Sequence, residues 1–523
     1  WSIDMKDFIL GLLPIITFFS LIVFFKKSTL VSAFTSLGIA IIINFINPSW
    51  QMSIQGTILS IIEGFLVAFW PIGSIVIAAL FCYSLSLETG QINIIKKILE
   101  GISSDKRVQV LLIAWGFGSF MEGVAGYGTS VAIPAGILLV LGFGPLYSAL
   151  ICLISIGGSN SFGSVGIPVI MLANQVKLDY KEMGVNVAFQ LLPFIVIIPI
   201  ILVILANRRN SKKISDAFKG GMIWVLLACI IAYIPALLVA LYIGPEMPAI
   251  VGGILTMAAV IVSSKLVFKN KNSKYTDENK IKAKTAIKAF LPYILMVIFI
   301  LLVNPINKGL YEFLDRYTTI KANFSIGQFY KIGNGEITAF KIFLSPVIPI
   351  LLATVIGGLL QGTRVKIIGK TFIWVVRNNI RTIMTIMGIV SLAAFMKHSG
   401  IIISVANGFT AITGEYYPLI APFIGAIGTF MTGSNTSANL LFGSLQSTAA
   451  DNLGINKYWL VASNTVGATL GTMISLQSLS IVAATVGIVG KESIILKKTI
   501  RYSVPLLIIL SIYVYSMSLI ISR

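Results

Sequence analysis

Glu122 is the only charge in VQVLLIAWGFGSFMEGVAGYGTSVAIPAGILLVLGF, residues 108–143. An ionisable group at membrane depth is costly, and by default it marks a path for protons, ions or substrate. Gly123, Gly126 and Gly128 follow it and permit a turn in which backbone N–H groups closely approach a ligand. Thr129 and Ser130 then supply hydroxyls that can cap the next helix. The chemistry these types suggest is proton loading at Glu122 beside an anion held at a helix N-terminus. A structural carboxylate that accepts N–H bonds from a neighbouring element is the competing reading.

Three further clusters are small, polar and uncharged. They are Gly157-Gly158-Ser159-Asn160-Ser161, Thr432-Gly433-Ser434-Asn435-Thr436-Ser437 and Ser463-Asn464-Thr465-Val466-Gly467. Close helix packing explains one such cluster. Several recurring at expected helix breaks read better as a substrate site built from Gly123, Tyr127, Gly128, Thr129, Ser159, Asn160, Ser161, Ser434, Asn435, Thr436, Ser463, Asn464 and Thr465. Gln477, in MISLQSLS, is the remaining ligand candidate. Val124, Ala125 and Ala438 are candidates for a small apolar contact. His398 is the single histidine, and Cys82, Cys152 and Cys229 are dispersed without metal spacing. No nucleophile–base arrangement or cofactor motif stands out, so the expectation is a non-enzyme with no cofactor and no metal.

The elements that position these residues follow from composition. Of 523 residues, 56% are hydrophobic and 11% charged, against about 25% charged in soluble domains. Mean hydropathy is +0.93. Spans are expected at 8–25, 29–46, 65–87, 186–206, 221–243, 248–268, 288–304, 341–361, 380–397 and 503–521, with broken spans at 145–176 and 458–489. No cleaved leader is expected, because the first apolar run is long enough to span. Segments 108–142 and 416–450 read as re-entrant hairpins whose arms of about 13 residues reach only about 20 Å, short of a hydrocarbon core near 30 Å.

With both termini outside, most of the 39 Lys and Arg fall on the inner side. These include Lys26 and Lys27, the lysines of 265–288, Arg377 and Arg381, and Lys497, Lys498 and Arg501. This is the positive-inside pattern, and it explains the net charge of +20 without a nucleic-acid partner. Lys397-His398 is expected as an interfacial anchor, Glu63 at the outer interface, and 305–340 as an external loop.

GSFMEG (118–123) matches GTFMTG (428–433) at an offset of 310 residues. The same shift carries 65–87 onto 375–397, and carries QINIIKKILEGISS onto the segment near 400–413. The copies would have opposite topology, and inverted repeats with broken helices point to secondary transport. The expected organisation is a first repeat over 1–206, connecting helices and a Lys-rich loop over 207–287, and a second repeat over 288–523. The fold class is then an all-α polytopic membrane protein of about 12 crossing segments plus two re-entrant hairpins, with elevator-like movement.

GSFMEGVAGYGTSVAIPAGILLVLGFGPL, FGSVGIP, GTFMTGSNTSANLLFGSLQ and ASNTVGATLGTMISLQSLSIVAATVGIVGKES together resemble the bacterial L-lactate permease family. The resemblance runs from about residue 60 to the C-terminus. It implies a plasma-membrane symporter of L-lactate with a proton, accepting D-lactate or glycolate as related substrates; the residue reading itself makes Glu122 the proton-coupling candidate. The chain departs from that family's usual pattern at Tyr127 (Phe), Ser130 (Pro), Asn435 (often Asp) and Leu476 (Pro). A sodium-coupled carboxylate transporter and an anion channel are the alternatives. The expected partners are a small monocarboxylate, a proton and membrane lipid, and a homodimer is kept as an expectation.

Overall fold

The computed structural model describes residues 5–50, 52–100, 103–126, 128–207, 213–268, 283–303, 307–324, 336–489 and 491–521. Most of the lysine-rich segment 265–288 therefore lies outside the described residues. The chain is nearly all helical. Among the described residues the one sheet is a two-stranded antiparallel ribbon, Thr319–Phe324 with Glu336–Lys341, in the segment expected to form an external loop.

Among the described residues ten helices are long and apolar enough to cross a membrane, or eleven with the bent pair Pro145–Gly158 and Asn160–Val176. Nine of the ten expected unbroken spans are among them. The tenth, 341–361, forms Val347–Leu360, whose 14 residues reach only about 21 Å. Polar caps set several boundaries: Ser53 Oγ accepts from Gly56 N–H at 3.0 Å, and Asn456 Oδ1 from Trp459 N–H at 3.0 Å.

Both expected hairpins form helix–turn–helix units, but their arms are mostly longer than expected. In the first, Lys106–Val110, Leu111–Phe117 and Gly118–Val124 run on as one arm, and Thr129–Val140 is the other. In the second the arms are Tyr417–Thr432, 16 residues, and Asn435–Leu453, 19 residues. The tips are tight: Gly128 has φ +85° and Gly433 φ +74°, a region that side-chain-bearing residues rarely adopt.

The two broken spans differ. The first bends by 67° and includes three successive left-handed residues, Ser164, Val165 and Gly166. The second is interrupted only at Met473–Ser475, between Lys457–Thr472 and Leu476–Thr485. Ser463, Asn464 and Thr465 therefore lie inside regular helix, not at a break. Asn464 and Thr465 find side-chain partners on the neighbouring helix Asn435–Leu453, and Ser463 bonds back to Leu460 in its own helix, so the backbone has no need to unwind.

At the same offset of 310, the succession of elements from Ile54 to Asn207 matches that from Val365 to Ile521. Helices Met5–Val23 and Thr29–Ile46 pack on Ile401–Thr413 and Val365–His398 of the other half. Ala283–Leu302 and Val347–Leu360 pack reciprocally on Gln91–Glu100 and Ser74–Glu88. The core sits at the broken helices. Every residue from Trp459 to Thr472 is buried, because helices with this many polar side chains are stable only inside protein.

His398 is not a free interfacial anchor. Its Nε2 lies 2.7 Å from Glu63 Oε2, tying the last turn of Val365–His398 to Ile54–Val67.

Candidate functional site

Glu122 is 3% exposed, on the last turn before the first tip. Across the hairpin Ser130 Oγ donates to its Oε2, and Asn160 Nδ2 donates to Oε1 at 2.7 Å. Asn160 in turn accepts at Oδ1 from Thr472 Oγ1 (3.0 Å) and from Asn435 Nδ2 (3.1 Å). One amide thus joins the first hairpin, the second hairpin and the second broken span.

Behind Asn160 the network continues away from the cavity. Asn435 Nδ2 also donates to Thr469 Oγ1 at 2.9 Å, and Thr465 Oγ1 donates to Asn435 Oδ1 at 2.9 Å. Asn439 Nδ2 donates to Thr465 Oγ1 (2.8 Å) and to the Pro168 carbonyl (3.0 Å). Asn464 Nδ2 donates to Asn439 Oδ1 at 3.0 Å, and Gln446 Nε2 to Asn464 Oδ1 at 3.2 Å. Tyr417 Oη closes the chain by donating to Gln446 Oε1 at 3.0 Å.

A cavity of about 580 Å³, part of it open, lies between the two tips and the two breaks. Three helix N-termini meet it: Thr129–Val140 through Ser130 and Val131, Asn435–Leu453 through Ser434, Asn435 and Thr436, and Leu476–Thr485 through Gln477 and Ser478. Unpaired N–H groups at such ends favour an anion. Ser434 and Ser475 cap two of them, accepting from Ser437 N–H and Ser478 N–H at 3.2 Å. Val131, Ile156, Pro168 and Ile481 give the cavity its apolar patches.

Of the residues singled out by sequence, Glu122, Gly128, Asn160, Ser434, Asn435, Thr436 and Gln477 line this cavity. The others stand behind its wall or turn away. Gly123 packs against Ala249 and Ile250, where a Cβ would collide. Thr129 Oγ1 donates to the Gly126 carbonyl at 2.8 Å, holding the turn. Ser159 is buried with no hydrogen-bond partner for its hydroxyl among the described residues. Ser161 contacts Thr469 at 2.6 Å, and Ser463 bonds back to Leu460 in its own helix. Asn464 and Thr465 belong to the network. Tyr127 lies outside the described residues. Val124, Ala125 and Ala438 are fully buried and do not line the cavity.

Thr472, Ser478 and Gly163 line it without having been singled out. Only their spacing from the breaks could have signalled them. Ser164 is a further surprise: its Oγ donates to the Ala125 carbonyl at 2.9 Å and fastens the left-handed turn to the first tip. Among the described residues no group of three His, Cys, Asp or Glu is placed to hold a metal ion.

Among the described residues, ten or eleven apolar spans and a polar-lined cavity define a multi-pass membrane protein. The profile of the L-lactate permease family matches residues 7–521, and the chain belongs to that family. It is 37% identical over 455 residues to an L-lactate permease of Streptococcus iniae, covering 87% of this chain and 93% of that protein. An L-lactate permease of Bacillus subtilis is 32% identical over 543 residues, covering 97% and 94%. The glycolate permease GlcA of Escherichia coli is 29% identical over 537 residues, covering 95% and 92%.

Proposed function

We propose that this chain imports L-lactate, and related small 2-hydroxy monocarboxylates such as D-lactate and glycolate, across the plasma membrane together with a proton. The observation that carries the proposal is Glu122, a carboxylate at the wall of a cavity where three helix N-termini meet. The N-terminal N–H groups of Asn435–Leu453 and Leu476–Thr485 bind the substrate carboxylate. Asn160, Thr472 and Ser478 are placed for its hydroxyl, and Val131, Ile156 and Ile481 for its methyl.

A second anion in this cavity repels an ionised Glu122, so substrate binds best when Glu122 holds a proton. By linkage, the proton then binds best when substrate is present. Ser130 suits both states. Its hydroxyl donates to the carboxylate and, after rotating, accepts from the carboxylic acid, while Asn160 still donates to the other oxygen. The loaded site carries no uncompensated charge, which lowers the cost of moving it through the membrane.

The two matching halves act in this reading as inverted repeats with both termini outside. The hairpins and broken spans move as a carrier past the remaining helices. The organisation is 1–206 and 288–523 around connecting helices in 207–287.

The test is L-lactate uptake into proteoliposomes under an inward proton gradient or an inward Na⁺ gradient, with wild type and Glu122→Gln. Proton-driven accumulation that disappears in the variant while lactate–lactate exchange persists is the expected result. Accumulation driven by Na⁺ alone, or proton-driven accumulation retained in full by Glu122→Gln, overturns the coupling.

A further inference from the structure

A second cavity, about 410 Å³, shares no residue with the central one. It lies where Pro145–Ser155 and Glu492–Ile521 begin and Tyr180–Asn207 ends, and it is lined by Leu146, Tyr147, Leu150, Leu205, Lys498, Arg501 and Tyr502. The positive-inside pattern puts these helix ends on the inner side of the membrane.

Nearby cations at helix ends are satisfied within the protein. Arg107 pairs with Asp105 at 2.7 Å, and Lys106 donates to the Leu141 carbonyl. Lys498 and Arg501 are different. Among the described residues neither pairs with an acid, and Lys498 stands over the Tyr147 ring, 5.9 Å from Nζ to centroid.

Leu146, Leu150 and Leu205 give the cavity an aliphatic part in a mainly polar lining, to which two phenols, Tyr147 and Tyr502, also belong. Below Arg501, at helical spacing, Val504, Ile508 and Ile512 are 37%, 46% and 56% exposed and form a stripe open to the acyl region. Spare cations in a polar cavity, next to a lipid-facing aliphatic stripe, match a headgroup phosphate with its acyl chains attached. Basic pockets between membrane helices recognise anionic headgroups in this way. A three-carbon acid would leave the Val504, Ile508 and Ile512 stripe uncovered.

We propose that this pocket is a binding site for an anionic phospholipid. Lys498 and Arg501 hold its phosphate, Tyr147 and Tyr502 donate to its oxygens, and its chains run along Val504, Ile508 and Ile512.

The experiment compares wild type, Lys498→Gln/Arg501→Gln and the control Lys366→Gln/Lys370→Gln, which removes the same charge from exposed positions on Val365–His398. Native mass spectrometry counts phosphatidylglycerol retained on purified full-length protein. Thermal shifts are then recorded with phosphatidylglycerol, phosphatidylcholine, inorganic phosphate or L-lactate added. The expected result is preferential retention of phosphatidylglycerol and stabilisation by it, lost about tenfold in the pocket variant and kept in the control. Equal retention by the two variants overturns the proposal. So does stabilisation by inorganic phosphate equal to that by lipid, which would mark an ion site, or displacement by L-lactate, which would mark a substrate vestibule. If the pocket variant does not fold, wild type that fails to prefer phosphatidylglycerol over phosphatidylcholine still overturns it.

Discussion

At the scale of single residues, Asn160 is the side chain on which the central site turns. It donates to Glu122 and accepts from Thr472 and Asn435, so its loss takes the donor from Glu122 Oε1 and cuts the link between three elements, although Thr472 Oγ1 keeps the Ala468 carbonyl and Asn435 Nδ2 keeps Thr465 and Thr469. Asn439 is bonded comparably, to Pro168, Thr465 and Asn464, but stands behind the cavity wall. Unsatisfied buried polar groups cost about 1–3 kcal/mol each, so Asn160→Ala and Asn439→Ala should destabilise by similar amounts. Their transport should differ. Asn160→Ala is expected to raise the KM for L-lactate by up to about tenfold, as expected when a neutral hydrogen bond of about 0.5–1.5 kcal/mol to the substrate hydroxyl is lost, while Asn439→Ala leaves KM near wild type. Equal KM values in the two folded variants would show that Asn160 is only a packing residue.

At the scale of elements, the two hairpins are held unequally. Asn435, Asn439 and Gln446 fasten the second to its surroundings through side-chain amides along one arm. Near its tip the first is joined to its surroundings by Glu122–Asn160 and by Ser164–Ala125. Both tips depend on glycine. Gly433 has φ +74°, and a Cβ there would run into the Cβ of Gln477. Gly454, at the far end of the same arm, has φ +63° and open space around it. Alanine at either position therefore incurs the left-handed backbone penalty of about 1–2 kcal/mol, but only Gly433→Ala displaces a cavity wall. Uptake should fall at least about tenfold in Gly433→Ala and stay within about twofold in Gly454→Ala, with comparable melting temperatures if the tip can shift to make room. Equal uptake in the two would separate tip geometry from transport.

At the scale of the whole molecule, pH acts beyond the central cavity. Glu246, in the loop between Met222–Tyr242 and Pro248–Phe268, is 8% exposed, and its Oε2 has no partner among the described residues. Burial is the dominant influence and pushes its carboxyl up to about 7; its own backbone N–H and Lys181 oppose the rise. The unfolded chain releases this proton near 4.5, so the folded state binds the extra proton between about 4.5 and about 7. Stability from this group is intact below that window and declines as pH rises through it, by roughly 3 kcal/mol at most. Glu246→Gln should therefore melt higher than wild type at pH 8, with the gap shrinking toward pH 5. A gap independent of pH would show that the carboxyl is not titrating there.

How much of this was legible in the sequence differs from place to place. Nine unbroken spans and the presence of two hairpins were written in composition, because burying about twenty apolar residues in a membrane is decided segment by segment. Glu122 stood out for the same local reason: a lone carboxylate in such a segment must be buried and must be partnered. The tertiary structure alone decided which polar residues face the cavity and which face each other. Asn160 and Asn464 look alike in sequence, each preceded by serine and followed by a hydroxyl residue, yet one meets Glu122 and the other serves the interior network. Their partners lie on other elements, as with Asn160 and Thr472, 312 residues apart, and depend on how each helix is rotated in its bundle. Hydrophobicity is a sum over neighbours along the chain. A hydrogen bond requires two atoms within about 3 Å in space, and only the packed fold brings them together.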